Sequence, residues 1–301
     1  MKTVSIIIVT YNSEKDIYDC VEAIAQHSDI PLEEIELIVV DNNSKQTDAM
    51  FARLAEMWDG IILIKNTQNG GYGQGNNIGI MQATAPIIMI MNPDVRLYEP
   101  VFQPVIETFT QNDRVTMYGM KQMLTPQVQS LNSINCINTV NGYMSTFLSG
   151  VCNRFDLFFP SVMYLNGACF FIRKSMFEQI GCFDESIFMY GEENDIHFRM
   201  GKKFGNNIVY NSKLHYLHLT MERKTSVASE DKILRSLILS NQKNGYPPQL
   251  TIRNKIQNLN FLMMKERISK FFGSASASER IAVYQEYKQK LKEMQKEFSK
   301  Q

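Results

Sequence analysis

The chain has 301 residues, of which 44% are apolar, 11% aromatic and 21% charged, with 16 Gly and 5 Cys. That is long enough to bury a substantial core, which excludes disordered, collagen-like and disulfide-scaffold classes and leaves one large α/β domain or two smaller ones. The 31 basic and 31 acidic side chains cancel, yet residues 1–220 hold 15 basic and 23 acidic groups, a net of −8, while residues 221–301 hold 16 and 8, a net of +8. The tail is a separate electrostatic object, suited to nucleic acid, anionic lipid or an acidic partner, or to a plain solvated helical surface.

Val4–Thr10 is a largely β-branched run that predicts a first strand, and Ser13 followed by Asp16 resembles a capping box opening a helix that ends near His27. Ile35–Val40 reads as a second strand, Lys45–Trp58 as a helix, Ile61–Lys65 as a strand, Gln74–Ala83 as a helix and Pro86–Met91 as a fourth strand. Uninterrupted apolar strands separated by helices imply a parallel sheet covered on both faces. From about Leu97 to Pro160 the pattern weakens into Asn/Ser/Gln-rich stretches in which no element is placed. Order returns at Tyr164–Arg173 as one strand, then a helix from Ser175 to about Ile180, a carboxylate-dense segment Phe183–Met200, and a strand Ile208–His218. Beyond Thr220 the pattern is helical, interrupted near Gly245–Pro248 and Gly273–Ser278, and Glu279–Lys300 has the spacing of an exposed amphipathic helix.

Cys20, Cys136, Cys152, Cys169 and Cys182 are odd in number and contain no C-x-x-C pair, so they read as small buried hydrophobes in a reducing compartment. The apolar run near the start is too short for a signal-peptide core, and nothing approaches the roughly 18 residues of a membrane span. A cytoplasmic protein is expected.

Ligands of parallel sheets bind beyond the carboxyl ends of the strands. Three polar segments occupy those ends: Thr10-Tyr11-Asn12, Asp41-Asn42-Asn43-Ser44 and Asn92-Pro93-Asp94. The glycine-rich segment Asn69–Asn77 precedes a helix whose free amides would attract an anion, or it is only a flexible turn; it matches neither the dinucleotide fingerprint nor a phosphate loop. Asn92-x-Asp94 offers oxygen ligands to a divalent cation, or a simple strand-ending turn. Glu192, Glu193 and Asp195 crowd three carboxylates into four residues, which raises at least one pKa and prepares a general base. The alternative is an acidic first helical turn with Arg199 as its ion-pair partner. His215 and His218, three apart on one strand, point to opposite faces, so only one is expected in a site.

The series VSIIIVTYNS (4–13), LIVVDNNS (37–44), NGGYGQGNNIGI (69–80), IMIMNPDVRL (88–97) and LNGACFFIRKSMFEQIGCFDESIFMYGEENDIHFRM (165–200), with the His218 exit, resembles inverting family 2 glycosyltransferases of the GT-A fold, in the rhamnosyltransferase and galactofuranosyltransferase-like branch. The resemblance covers about residues 3–220. It implies an α/β nucleotide-diphospho-sugar transferase fold: a mostly parallel central sheet with helices on both faces over 1–220, and a basic, mainly helical extension over 221–301.

The same resemblance implies a UDP- or dTDP-sugar donor, a glycan or lipid-linked glycan acceptor, Mg²⁺ or Mn²⁺, no nucleic acid, and work in cell-envelope polysaccharide synthesis. Thr10, Tyr11 and Asn12 would line the nucleotide pocket, with Asp41 on the base and Asn43 nearby. The Gly71–Asn77 loop, including Gly73, would close over the nucleotide, with Asn77 among its contacts. Asn92 and Asp94 stand at the family's D-x-D motif, which makes Asp94 and the late His218 metal ligands. Gly167 and Ala168 would flank donor sugar and acceptor. Glu193 would be the base, Glu192 its rival, and Asp195 a catalytic neighbour or an organiser of loop and acceptor. Asn92, which replaces an acid, keeps open a non-catalytic nucleotide-sugar or glycan-binding module, and a nucleotidyltransferase is the other alternative. In the tail, Arg253–Phe272, with Ile256, Leu259, Leu262, Ile268 and Phe271, would approach an anionic membrane at its inner face or a partner, or else pack on the catalytic domain or form a homodimer contact.

Overall fold

The computed structural model describes residues 1–137, 140–219 and 226–298. The expected boundary after residue 220 and the end of the last helix lie outside the described residues. The first part of the chain alternates as expected: β1 (Val4–Thr10), α1 (Glu14–Gln26), β2 (Ile35–Asp41), α2 (Thr47–Met57), β3 (Ile62–Lys65), α3 (Gly71–Gln82) and β4 (Ile87–Met91). These four strands are parallel, with β1 registered against β2 from Val4↔Ile35 to Thr10↔Asp41 and against β4 from Val4↔Ile87. Their apolar runs are continuous because the two faces feed two cores. Ile6, Ile8, Leu37, Val39 and Met89 pack against Ile17, Val21 and Leu54 of α1 and α2. Ile7, Ile38, Val40, Ile88 and Ile90 join Ile80 of α3 on the other side. Each such fully buried side chain contributes about 1.5–3 kcal/mol by leaving water.

One expected feature is absent. Ser13 precedes α1 without capping it, since its hydroxyl bonds to the backbone of Tyr11.

The segment left blank by the sequence contains β5 (Val95–Arg96), α4 (Phe102–Gln111), β6 (Met117–Thr125), β7 (Val128–Gln129), β8 (Ile134–Cys136) and α5 (Gly142–Phe155). β6 is an interior strand of the main sheet. Its apolar pattern is broken because Gln122 is buried among hydroxyls, with Ser130 at 3.1 Å and Tyr216 at 3.3 Å, and Lys121 is paired with Asp156. Polar residues with buried partners look like loop residues in a one-dimensional reading.

The expected strand 164–173 is two strands, β9 (Met163–Leu165) and β10 (Cys169–Arg173), separated by a turn in which Asn166 Oδ1 accepts from the Ala168 amide at 2.8 Å. After α6 (Lys174–Gln179) and α7 (Glu192–Phe204) comes β11 (Ile208–His218). The main sheet has nine strands in the order β3-β2-β1-β4-β10-β6-β11-β5, with β7 beside β6 and with β10 antiparallel to both of its neighbours. β8 and β9 form a separate ribbon.

The last three helices, α8 (Val227–Lys243), α9 (Pro248–Phe271) and α10 (Ala277–Phe298), enclose a third core of Leu234, Ile252, Leu259, Met263, Tyr284, Tyr287 and Leu291. They rest on the sheet-bearing part: Asn254 donates to Val140 O at 3.0 Å, and Asn244 donates to Asp195 at 3.2 Å. No helix among the described residues is long and apolar enough to cross a membrane.

Candidate active site

The carboxyl ends of β1, β2 and β4 open on one side of the sheet, as parallel topology requires. At the first two, Asp41 Oδ1 accepts from Thr10 Oγ1 at 2.9 Å and Ser44 Oγ at 2.5 Å, and Oδ2 accepts from the Ser44 amide at 2.8 Å and Thr47 Oγ1 at 2.5 Å. Asp41 is fully buried, and four donors fill the four lone-pair positions of a carboxylate. Its side chain braces β1, β2 and the start of α2, at the edge of the space where the base is expected. Beside it lies a cavity of about 460 Å³ bordered by Asn43, Ser44, Lys45, Lys65 and Asn66. Asn12 and Asn43 adopt left-handed backbone with φ of 50° and 65°, a conformation Asn tolerates better than most residues. The Asn12 amide bonds Ser44 Oγ at 2.7 Å, and Tyr11 is exposed next to it.

The glycine-rich segment is helical from Gly71, so the expected loop over the nucleotide is the first two turns of α3. Gly71 has φ of 90°, and a Cβ there would meet Phe188 O at 2.1 Å. Gly73 lies against Phe183. Asn77 donates to Phe183 O and to Glu185 Oε1, both at 3.0 Å, and accepts from the Phe183 amide at 3.0 Å. All three positions hold α3 against the 183–188 segment. Asn77 is thus engaged with Phe183 and Glu185.

The larger cavity, about 590 Å³, is lined by Asn92, Gly167, Ala168, Glu192, Glu193 and His218, with Tyr72, Tyr164, Met189, Ile233 and Leu237 completing its wall. The break between β9 and β10 delivers Gly167 and Ala168 to it, tied to β4 by the Asn92 amide on Ala168 O at 2.8 Å. Gly167 leaves space for the acid opposite: a Cβ would stand 2.3 Å from Glu193 Oε1. The Tyr72 hydroxyl donates to Gly167 O at 2.7 Å and fixes the turn from the other side.

Glu192 and Glu193 open α7 after Gly191, whose φ is 104°. A helix N-terminus favours carboxylate anions, but burial wins here. Desolvation raises the Glu193 pKa above its ordinary value, against backbone amide bonds from Glu193, Gly191 and Gly167 that favour the anion. Glu192 is pushed up further, first by burial and then by the charge of Glu193, and its Oε1 has no hydrogen-bond partner. Burial and the charges of Glu193 and Glu192 also raise the Tyr72 hydroxyl, which stays a neutral donor.

Asp195 does not line this cavity. It is buried and paired with Arg199, whose guanidinium also bonds Ile180 O at 2.8 Å and Cys182 O at 2.7 Å. The expected catalytic part for Asp195 is corrected to a positioning one, because its oxygens tie α7 to the 180–182 turn and to Asn244.

Asp94 Oδ1 lies 3.3 Å from His218 Nε2, and the Leu219 amide bonds Asp94 O at 2.9 Å, joining the exit of β4 to that of β11. His215 stands apart, its ring nitrogen on Glu99 at 2.8 Å and its ring stacked near Tyr98. Among the described residues no cluster of three or more His, Cys, Asp or Glu could hold a metal. One carboxylate oxygen and one imidazole nitrogen at 3.3 Å have the spacing of neighbouring ligands on a single ion, and a hard cation held by few protein groups takes phosphate oxygens and water for the rest. The residues present fit such an ion.

Sequence reasoning missed several wall residues. Tyr72 carried a signal, a lone aromatic inside a glycine-rich stretch. Ile233 and Leu237 on α8 carried none, since an i, i+4 apolar pair does not say which surface it faces.

A family model described as glycosyl transferase family 2 matches residues 5–181. A low-salt glycan biosynthesis hexosyltransferase, Agl10, of Haloferax volcanii is 30% identical over 206 residues, 65% of this chain and 60% of the relative. An N-acetylglucosaminyl-diphospho-decaprenol L-rhamnosyltransferase of Mycobacterium tuberculosis is 23% identical over 267 residues, 78% of this chain and 85% of the relative. Among solved structures, the mannosyltransferase PcManGT from Pyrobaculum calidifontis, in complex with GDP-Man and Mn²⁺, superposes with a TM-score of 0.61 at 16% identity, over 96% of this chain and 83% of that one. The chain spans 60% of the length of the archaeal hexosyltransferase.

Proposed function

Since this chain belongs to glycosyl transferase family 2 and has the GT-A fold, we propose that it is an inverting hexosyltransferase, moving a sugar from a nucleoside diphosphate donor to a hydroxyl of a glycan or lipid-linked glycan. One observation carries the reading: the adjacent acids Glu192 and Glu193 share a single cavity with His218, the partner of Asp94. The relatives' names, hexosyl transfer and rhamnosyl transfer onto N-acetylglucosaminyl-diphospho-decaprenol, support the reaction class and a lipid-linked acceptor. The solved neighbour's GDP-Man and Mn²⁺ support the donor class and a divalent cation. A UDP- or dTDP-sugar remains the preferred donor, with its base in the cavity beside Asn43 and Lys45. The reading assigns transfer to residues 1–220 and support to residues 221–301.

In this mechanism Asp94 and His218 would hold Mg²⁺ or Mn²⁺, which when bound offsets the charge gathering on the departing diphosphate. Glu193 accepts the proton of the acceptor hydroxyl as its oxygen attacks the anomeric carbon and the bond to the diphosphate breaks on the opposite face. A hydroxyl is a weak nucleophile, and a carboxylate whose pKa is raised by burial is a stronger base than one in water. Glu192 lies beside it, and burial disfavours two negative charges on the pair. Gly167 keeps the base's oxygen clear, and Asn92 supplies an amide where an acid would add a further charge. Direct displacement needs no covalent intermediate.

The test is a panel of nucleotide sugars with Mg²⁺ or Mn²⁺, read as release of nucleoside diphosphate and as thermal stabilisation by the bound donor. Metal-dependent diphosphate release supports transfer. Pyrophosphate release would indicate a nucleotidyltransferase, and donor binding without turnover on any acceptor a binding module.

A further inference from the structure

The last two turns of α9 present a face that the described chain leaves uncovered. Met264, Ile268, Phe271 and Phe272 are exposed, the two phenylalanines to 86% and 80%. Positions 264, 268 and 271 follow one helical stripe, and Phe272 extends it at the cap. Lys265 borders the stripe on one side and Arg267 on the other, and both are exposed. Leu259 and Met263, on the opposite side of the helix, are buried in the core shared with α8 and α10. Glu266 is the sole acid between positions 264 and 272, and it is turned inward onto Arg280 at 2.7 Å with its side chain 13% exposed. The outer face therefore shows apolar groups edged by cations, with no acid among them.

This is narrower than the surface expected from the sequence. Ile256 and Leu262 pack against the helical core and Leu259 is buried within it, leaving Ile268 and Phe271 of the five named side chains.

We propose that the C-terminal end of α9 docks on an anionic lipid bilayer, with Ile268, Phe271 and Phe272 at the boundary of headgroups and acyl chains and Lys265 and Arg267 on lipid phosphates. Charge complementarity selects this occupant. Long basic side chains beside an apolar stripe lay their stems along it and extend their charges to the phosphate layer, the arrangement of helices that lie in the membrane plane. Each cation near an anionic surface multiplies binding about fivefold. The inference does not depend on the transfer reaction, so it stands or falls separately.

The test uses the full chain, co-sedimented with vesicles of phosphatidylcholine alone or doped with phosphatidylglycerol. Binding is expected only to the doped vesicles and should weaken as salt is raised. The double variants Phe271→Ser/Phe272→Ser and Lys265→Glu/Arg267→Glu should each lower partitioning by about tenfold or more. Phe271→Trp/Phe272→Trp should retain it, and thermal unfolding of every variant should match the parent because the replaced groups are exposed. The proposal is overturned by no binding to either vesicle, by equal binding to both, or by charge-reversed protein that sediments like the parent. Self-association abolished by the Ser variant, without vesicle binding, would reassign the face to a second copy of the chain.

Discussion

Asp41 and Glu192 are both buried carboxylates beside cavities on the same side of the sheet, yet their surroundings differ. Asp41 receives four hydrogen bonds, whereas Glu192 keeps an oxygen with no partner. A saturated buried carboxylate holds neighbouring loops in place. An unsaturated one raises the free energy of the folded chain, and the same deficit makes it ready to exchange a proton. The Asp41 end of the cleft is thus built as scaffold and the Glu192–Glu193 end as chemistry.

The largest effect expected from this contrast is in Glu193→Gln. Loss of a general base lowers turnover by about 10²–10⁴-fold, and because the replaced group is a desolvated carboxylate, the melting temperature should hold or rise. A drop in turnover accompanied by unfolding would make Glu193 scaffold and erase the distinction. Next is Asp94→Asn, which leaves His218 without its anionic neighbour. Turnover should fall by about 100-fold or more and the dependence on added Mn²⁺ should flatten. A variant with normal metal titration would remove Asp94 from the site.

Asp41→Ala tests the scaffold end and should reverse the pattern. Removing an acceptor that serves Thr10, Ser44 and Thr47 leaves buried donors unmatched, at about 3 kcal/mol. For a chain of this size that corresponds to a fall in melting temperature of about 5 °C. Turnover per folded molecule should change by only a few-fold, measured at a temperature where both proteins are folded. Activity collapsing with stability intact would return Asp41 to the ligand.

These contrasts were partly legible in the amino-acid order. The strands β1 to β4 could be read because burial on both faces leaves no polar interruption. β6 could not, since Gln122 and Lys121 find their partners only after Ser130, Tyr216 and Asp156 have folded around them. The candidate acids Glu192 and Glu193 were visible as a cluster. What separates them from Asp195 is the direction in which α7 turns each side chain, with Arg199 and Asn244 taking Asp195 away from the cavity. Asp41 was legible as a strand-end carboxylate but its bracing of β1, β2 and α2 was not, because the number of donors around a carboxylate depends on three loops closing together. The expected capping box at Ser13 failed for a similar local reason, its hydroxyl being engaged by Tyr11, whereas Ser226 and Ser229 form one that was not foreseen.

The smallest effect expected is a pH dependence of stability, and it isolates Glu192. A carboxyl group whose pKa is raised by folding binds its proton more tightly in the native chain than in the unfolded one. Its contribution to stability is full below the ordinary value of 4.5 and is lost as pH rises through the raised native value. His197 acts in the opposite sense. Burial lowers its pKa from 6.5 to about 4, so its contribution is full above 6.5 and is lost as pH falls through about 4. Because His197 is common to both proteins, the comparison of Glu192→Gln with the parent cancels it. The two melting temperatures should nearly coincide below pH 4.5 and separate as pH rises, the variant becoming the more stable by about 2 °C for each kcal/mol of desolvation relieved. Parallel curves across that range would mean that Glu192 carries no buried-charge penalty, and its contrast with Asp41 would reduce to a difference in hydrogen-bond count.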